Sequence, residues 1–137
     1  MHRWLYLLNL LVLLPACTSG VVSGDRPLLE TTWNLAQLYE EEIAYSGSKA
    51  PNLRFEAERV TGNDGCNNIF GPYRHKDDHL SFGLLASTRM ACPQTEGFEM
   101  VFHKMLTTVS RYRIAGDRLE LYADDKQVAS FVAADGQ

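Results

Sequence analysis

Cys66 and Cys92 head the list of side chains that could do chemistry, and each closes or interrupts a distinct block: Thr61-Gly62-Asn63-Asp64-Gly65-Cys66-Asn67-Asn68 and Ser87-Thr88-Arg89-Met90-Ala91-Cys92. A thiolate nucleophile needs a cationic or histidine neighbour to lower its pKa, and no Cys-His signature surrounds either position. The glycine-rich stretch could cradle an anion on its backbone N–H groups. A Walker-type loop would then run into Lys-Ser/Thr at the start of a helix, whereas this one runs into Asn67, Asn68 and Phe70. EF-hand spacing is absent too. The simpler reading is a turn in which Gly62 and Gly65 take positive φ and Asn63, Asp64, Asn67 and Asn68 satisfy backbone groups locally.

His75-Lys76-Asp77-Asp78-His79 brings two imidazoles and two carboxylates together, a set that could hold a divalent metal. A turn is expected at Asp77-Asp78, with Tyr73 and Leu80 as the flanking strand ends, and it would scatter these side chains over different faces. The cluster therefore reads as a solvated hairpin tip. His103, beside Lys104 on a helical stretch, reads as a surface residue. No catalytic pair, metal site or cofactor is expected, and the chain reads as a non-enzyme.

The N-terminus decides the compartment. Met1-His2-Arg3 is a short basic start, and Trp4 to Leu14 is apolar apart from Asn9, which suits a signal-peptide core and is too short for a permanent span. Leu14-Pro15-Ala16-Cys17 resembles a bacterial lipobox, with Pro15 where a small or aliphatic residue is usual. Residues 1–16 would then be removed and Cys17 would become an acylated N-terminus, each buried methylene adding about 0.8 kcal/mol of membrane affinity. Thr18, not Asp, follows, and by resemblance to the lipoprotein sorting pattern this directs the protein to the outer membrane, on its periplasmic face. Residues 17–27 have the composition of a flexible tether, 28–133 form one domain, and 134–137 a short tail. The net charge is −4, and it becomes more negative once Arg3 leaves with the signal. An acidic chain excludes nucleic acid as the obvious partner and gives no reason for the domain itself to dock on anionic lipid.

Mostly short strands must position the two blocks. Thr31 to Leu38 alternates around Trp33 and Leu35 before the pattern slips, and Leu53 to Ala57 alternates cleanly. Glu40 to Glu42 and Ser46 to Lys49 read as an exposed loop between them. Leu80-Ser81-Phe82, Tyr112-Arg113-Ile114, Leu119-Glu120-Leu121 and a strand over 128–132 follow, with a tight hairpin at Gly116-Asp117. Phe98, Val101, Phe102, Met105, Leu106 and Val109 instead trace the stripe of an amphipathic helix over about 95–109, with Thr95 able to cap it and Glu96 and Glu99 at its positive end. The fold class is α+β: a strongly curved, barrel-like antiparallel sheet of about seven to nine short strands with one packed helix. Trp33, Phe55, Phe70, Tyr73, Phe82, Phe98, Phe102, Tyr112 and Phe131 are mostly core by period, unless the sheet encloses an unfilled cavity that some of them line.

Taken together, Trp33-x-Leu35, the run from Arg59 through Gly62, Gly65-Cys66-Asn67-Asn68, Phe70-Gly71 and Tyr73, the block Thr88-Arg89-Met90-Ala91-Cys92, Glu99-x-x-Phe102-x-x-x-Leu106 and Leu119-x-Leu121 resemble the META domain, the family of HslJ-like envelope proteins. The resemblance spans about 28–133. It implies a compact antiparallel fold with a packed helix, a place in the bacterial envelope and an association with stress or antibiotic tolerance. It implies no reaction.

In an oxidising envelope, with Cys17 lipidated, Cys66 and Cys92 are best read as one disulfide worth about 3.5 kcal/mol by the loop-entropy estimate. Two buried free thiols, or a catalytic thiolate, are the alternatives. Function is then expected to be non-catalytic, the binding or assistance of other envelope proteins. The competing expectation is a carrier or sensor of a small apolar ligand in a cavity beneath the helix.

Overall fold

The structure, a computed structural model, describes residues 24–43, 50–95 and 97–134. The expected signal peptide, Cys17, most of the tether, Ser46 to Lys49, Glu96 and residues 135–137 lie outside that range. The strands run β1 Thr32–Leu38, β2 Glu41–Glu42, β3 Asn52–Phe55, β4 Arg59–Asn63, β5 Asn68–Lys76, β6 His79–Phe82, β7 Ala86–Ser87, β8 Arg111–Ala115, β9 Arg118–Ala123 and β10 Lys126–Ala133, with α1 at Phe98–Thr108 between β7 and β8. Every named pairing is antiparallel, in the order β10-β9-β8-β6-β5-β4-β3-β1, and β10 returns to β1. Eight strands thus close into a barrel, while β2 extends β1 and β7 lies on β5.

Closure follows from the inward alternation. Trp33, Leu35, Leu53, Phe55, Val60, Ile69, Leu80, Leu119, Leu121 and Phe131 point inward and are buried in one core. The slip after Leu35 is a bulge: the β1–β10 register shifts between Leu35 and Gln37, so Leu38 returns to the inside and the strand bends around the barrel. The β6–β8 seam is the thinnest, a single bridge of His79 with Arg111 flanked by Leu80 N–H to Ser110 O (3.1 Å) and Tyr112 N–H to Asp78 O (2.9 Å).

Helix α1 fills the barrel's core. Phe102, Met105 and Leu106 are buried to 1% exposure or less, and Phe102 meets Phe131 edge-on at 6.5 Å between ring centroids. Val101 leaves the expected stripe: it is 43% exposed, because the barrel receives the face one turn around it. Thr95 does not cap α1. It sits in a 3-10 turn at Pro93–Thr95, and Gly97, in the left-handed region at φ 86°, occupies the capping position without a side-chain bond. The Thr95 hydroxyl lies 2.7 Å from the Glu99 carboxylate and so ties the turn to the helix.

Two more expectations need correction. Tyr73 is not a strand end, since β5 continues to Lys76 and the turn to β6 is two residues long, with Asp77 at φ 55°. Phe70 is not core: it faces outward on β5 and is 51% exposed. Near the expected tether, Arg26 N–H donates to Gly116 O (2.8 Å) and Gly116 N–H to Asp25 Oδ1 (2.7 Å), which pins the chain to the β8–β9 turn ahead of the first strand.

Candidate functional site

The two motif blocks meet at one end of β4 and β5. Cys66 and Cys92 are joined in a disulfide with their Cα atoms 5.9 Å apart, inside the geometry a bridge allows. The bond ties the β4–β5 turn to the segment leading into α1. Neither sulfur is therefore available as a thiolate.

Around the bridge, side-chain amides and hydroxyls stitch the same two segments. Asn67 Oδ1 accepts from Met90 N–H (2.6 Å), and its distance to the Thr88 hydroxyl is 3.1 Å. Thr88 Oγ1 in turn accepts from Asn68 N–H at 3.0 Å, and Thr88 N–H donates to Asn68 O at 3.0 Å. Arg89 is exposed and has no hydrogen bond or ion pair among the described residues. Gly71 lies in β5 opposite Val60.

The glycines divide in role. Gly65 has φ 98°, as a left-handed turn requires. Gly62 does not: it belongs to β4, paired with Leu53 and Ile69, and a Cβ there would overlap the carbonyl oxygen of Asn52. Close backbone approach, not positive φ, is what demands glycine at 62.

Asp64 is the centre of the turn. Its side chain is 1% exposed, its Oδ1 accepts from Cys66 N–H (3.0 Å) and Asn67 N–H (2.6 Å), and its Oδ2 lies 2.9 Å from His103 Nε2. His103 is therefore not a free surface residue; it reaches from α1 to a buried carboxylate. A carboxylate only accepts, so the bond places the proton of the ring on Nε2. An Asp–His pair of this kind orients imidazoles in hydrolases, but here Asp64 also carries two backbone donors, and the sulfurs of Cys66 and Cys92 are bonded to each other. The arrangement anchors helix to turn. In sequence, only the Asp-Gly pair hinted at it, and nothing local linked residue 64 to residue 103.

The remaining polar clusters serve the surface. His79 Nδ1 is 3.0 Å from Asp78 Oδ1, and Asp78 also receives Arg111; the Arg111 hydrogen bond, against the opposing effect of desolvation and with the added charges of Arg111 and His79, holds its carboxyl below the usual range. His75 instead stacks on Tyr73, with ring centroids 5.7 Å apart. Among the described residues no three His, Cys, Asp or Glu side chains gather as a metal site would need. On β9, Glu120 is nearly buried between Arg113 (2.8 Å) and the Tyr122 hydroxyl (2.7 Å). Burial pushes the Glu120 carboxyl up, but bonds from Tyr122 and Arg113 and the charges of Arg113 and Arg118 outweigh it and hold the carboxyl below its ordinary value.

Several open grooves mark the surface. One of about 680 Å³ crosses the outside of β3, β4 and β5 around Thr61, Asn63 and Phe70. Another of about 580 Å³ lies between the β1–β2 turn and the start of α1, lined by Leu38, Tyr39, Ile43, Phe98 and Val101.

A closed eight-stranded antiparallel barrel, filled by one helix that a disulfide and an Asp–His contact hold in place, defines the class of this protein. Residues 26–136 match the META domain, and the chain belongs to that family. Among solved structures it is similar to a protein from Burkholderia xenovorans determined by NMR, at 26% identity and a TM-score of 0.63, over 80% of this chain and 85% of that one. A second NMR structure, 23% identical with a TM-score of 0.61, covers 77% of this chain and 90% of its own and shares the fold. No curated protein matches the chain.

Proposed function

We propose that this protein is a lipid-anchored, non-catalytic recognition protein of the bacterial envelope. Cys17 carries the acyl chains, the domain stands on the periplasmic face of the outer membrane, and it binds or assists other envelope proteins under stress or antibiotic challenge. The observation that supports a non-catalytic role is the fate of the reactive side chains. Cys66 and Cys92 are bonded to each other, and both oxygens of Asp64 hold the turn and the helix.

Binding is then left to the surface. The groove at the start of α1 offers Tyr39, Ile43, Phe98 and Val101, and Met100, which precedes Val101 in the helix, is 75% exposed, apolar surface of the sort that partners cover. A carrier of an apolar ligand would need space beneath α1. That position is occupied by Phe102, Met105 and Leu106.

Two measurements test the proposal together. Wild-type protein should take up labelled palmitate and fractionate with the outer membrane, and Cys17→Ser should do neither. A photo-crosslinker placed at Met100 in intact cells should capture a discrete envelope protein, and one at exposed Arg89 should not. Wild type that takes up no palmitate, with Cys17→Ser still in the outer membrane, would refute the anchor; equal labelling from both crosslinker positions would refute the patch.

A further inference from the structure

On the outer face of β1, β3, β4 and β5 the strand register aligns four asparagines. Asn34 pairs with Asn52, Asn52 with Asn63, and Asn63 with Asn68. Their neighbours Trp33, Leu53 and Ile69 point into the core, so alternation turns all four amides outward. With adjacent strands about 4.8 Å apart, the row covers about 14 Å of barrel surface. Two residues along runs a parallel row: Thr32, Arg54, Thr61 and Phe70. Thr61 lies between the long side chains of Arg54 and Phe70, Asn63 lies between Asn52 and Asn68, and the two short side chains floor the trough of about 680 Å³.

The trough is held ready. Arg54 donates to the Glu30 carbonyl and carboxylate, each at 2.6 Å, and Asn52 Nδ2 to Ala50 O at 3.0 Å. Asn63 Nδ2 donates to Asn68 Oδ1 at 3.1 Å, while Asn63 Oδ1 accepts from Gly65 N–H at 2.8 Å. Other polar atoms of the trough have no partner among the described residues: Asn52 Oδ1, Asn68 Nδ2 and the Thr61 hydroxyl; the Asn34 amide, at the end of the row beyond the trough, has none either. They present donors and acceptors side by side. Phe70 supplies an exposed ring at one wall.

Charge narrows the ligand. Arg54 is paired with Glu30 and Arg59 with Glu56, so the trough carries no uncompensated charge. A nucleic acid or acidic polymer would call for free cations. A peptide strand cannot add here either, because β3, β4 and β5 are each paired on both sides. We propose that this face binds a neutral glycan strand, the amide row exchanging hydrogen bonds with sugar hydroxyls and Phe70 stacking on the C–H face of a ring. The proposal stands independently of the lipid anchor and of the patch at Met100.

Side-chain amide signals in ¹⁵N NMR of the full chain in detergent read the row directly during titration with chitotetraose and with maltotetraose. Saturable shifts at Asn34, Asn52, Asn63 and Asn68 are expected with at least one of these sugars. Phe70→Ala should weaken that affinity about fivefold to tenfold without changing the melting temperature, since the ring is exposed, and Thr61→Lys, which fills the floor, should abolish it. Absence of saturable shifts with both sugars, undiminished affinity in Phe70→Ala, or a response to heparin in place of the neutral sugars would overturn the assignment.

Discussion

His103 Nε2 and Asp64 Oδ2 are 2.9 Å apart, joining α1 to the β4–β5 turn across 39 positions of sequence. Because Asp64 is buried and also accepts two backbone N–H bonds, its removal leaves several donors without partners. Asp64→Ala should therefore cost about 3 kcal/mol. His103→Ala should cost less, since its ring is partly exposed and only one contact is lost. Urea midpoints of the two variants check the order; equal, near-zero losses would show that the contact does not hold the helix.

Phe102 sits between Phe98 at 6.1 Å and Phe131 at 6.5 Å and is fully buried. Phe102→Ala should lower stability by about 3–5 kcal/mol through lost burial and the cavity it leaves. By contrast Val101→Ala on the same helix should cost under about 1 kcal/mol, because that side chain is exposed. A pair of urea titrations separates the two.

The Glu120 cluster predicts a pH dependence. Its folded carboxyl titrates below the ordinary value, so the unfolded chain binds that proton more readily. The stabilisation is full above the ordinary glutamate range and is lost as pH falls through the folded value. Glu120→Gln should thus be less stable by about 1–2 kcal/mol near neutral pH, with a shallower loss on acidification than wild type. Chemical denaturation across the acid range measures both slopes, and parallel slopes would contradict the assignment.

Much of this fold was legible from periodicity. The alternation of Leu53-Arg54-Phe55 and Leu119-Glu120-Leu121 marked strands, the Phe98-to-Val109 stripe marked the helix, and the slip after Leu35 proved to be a bulge. What escaped were β4 and most of β5. Gly62 and Gly71 stand at inward or crowded positions where an apolar residue would have signalled a strand, so the pattern read as a loop. The Asp64–His103 contact escaped for another reason: a helical His beside a Lys carries no local sign of a buried acid that only the folded chain brings to it. Val101 and Phe70 read as core by period, although closure of the barrel puts them outside.

The Cys66–Cys92 bond joins the two motif blocks and holds the domain together. Native protein taken from its own compartment should be alkylated at neither Cys66 nor Cys92 without reductant and at both after reduction, by intact mass, with stability falling by about 3.5 kcal/mol on reduction. Alkylation of both thiols in unreduced native protein would contradict it.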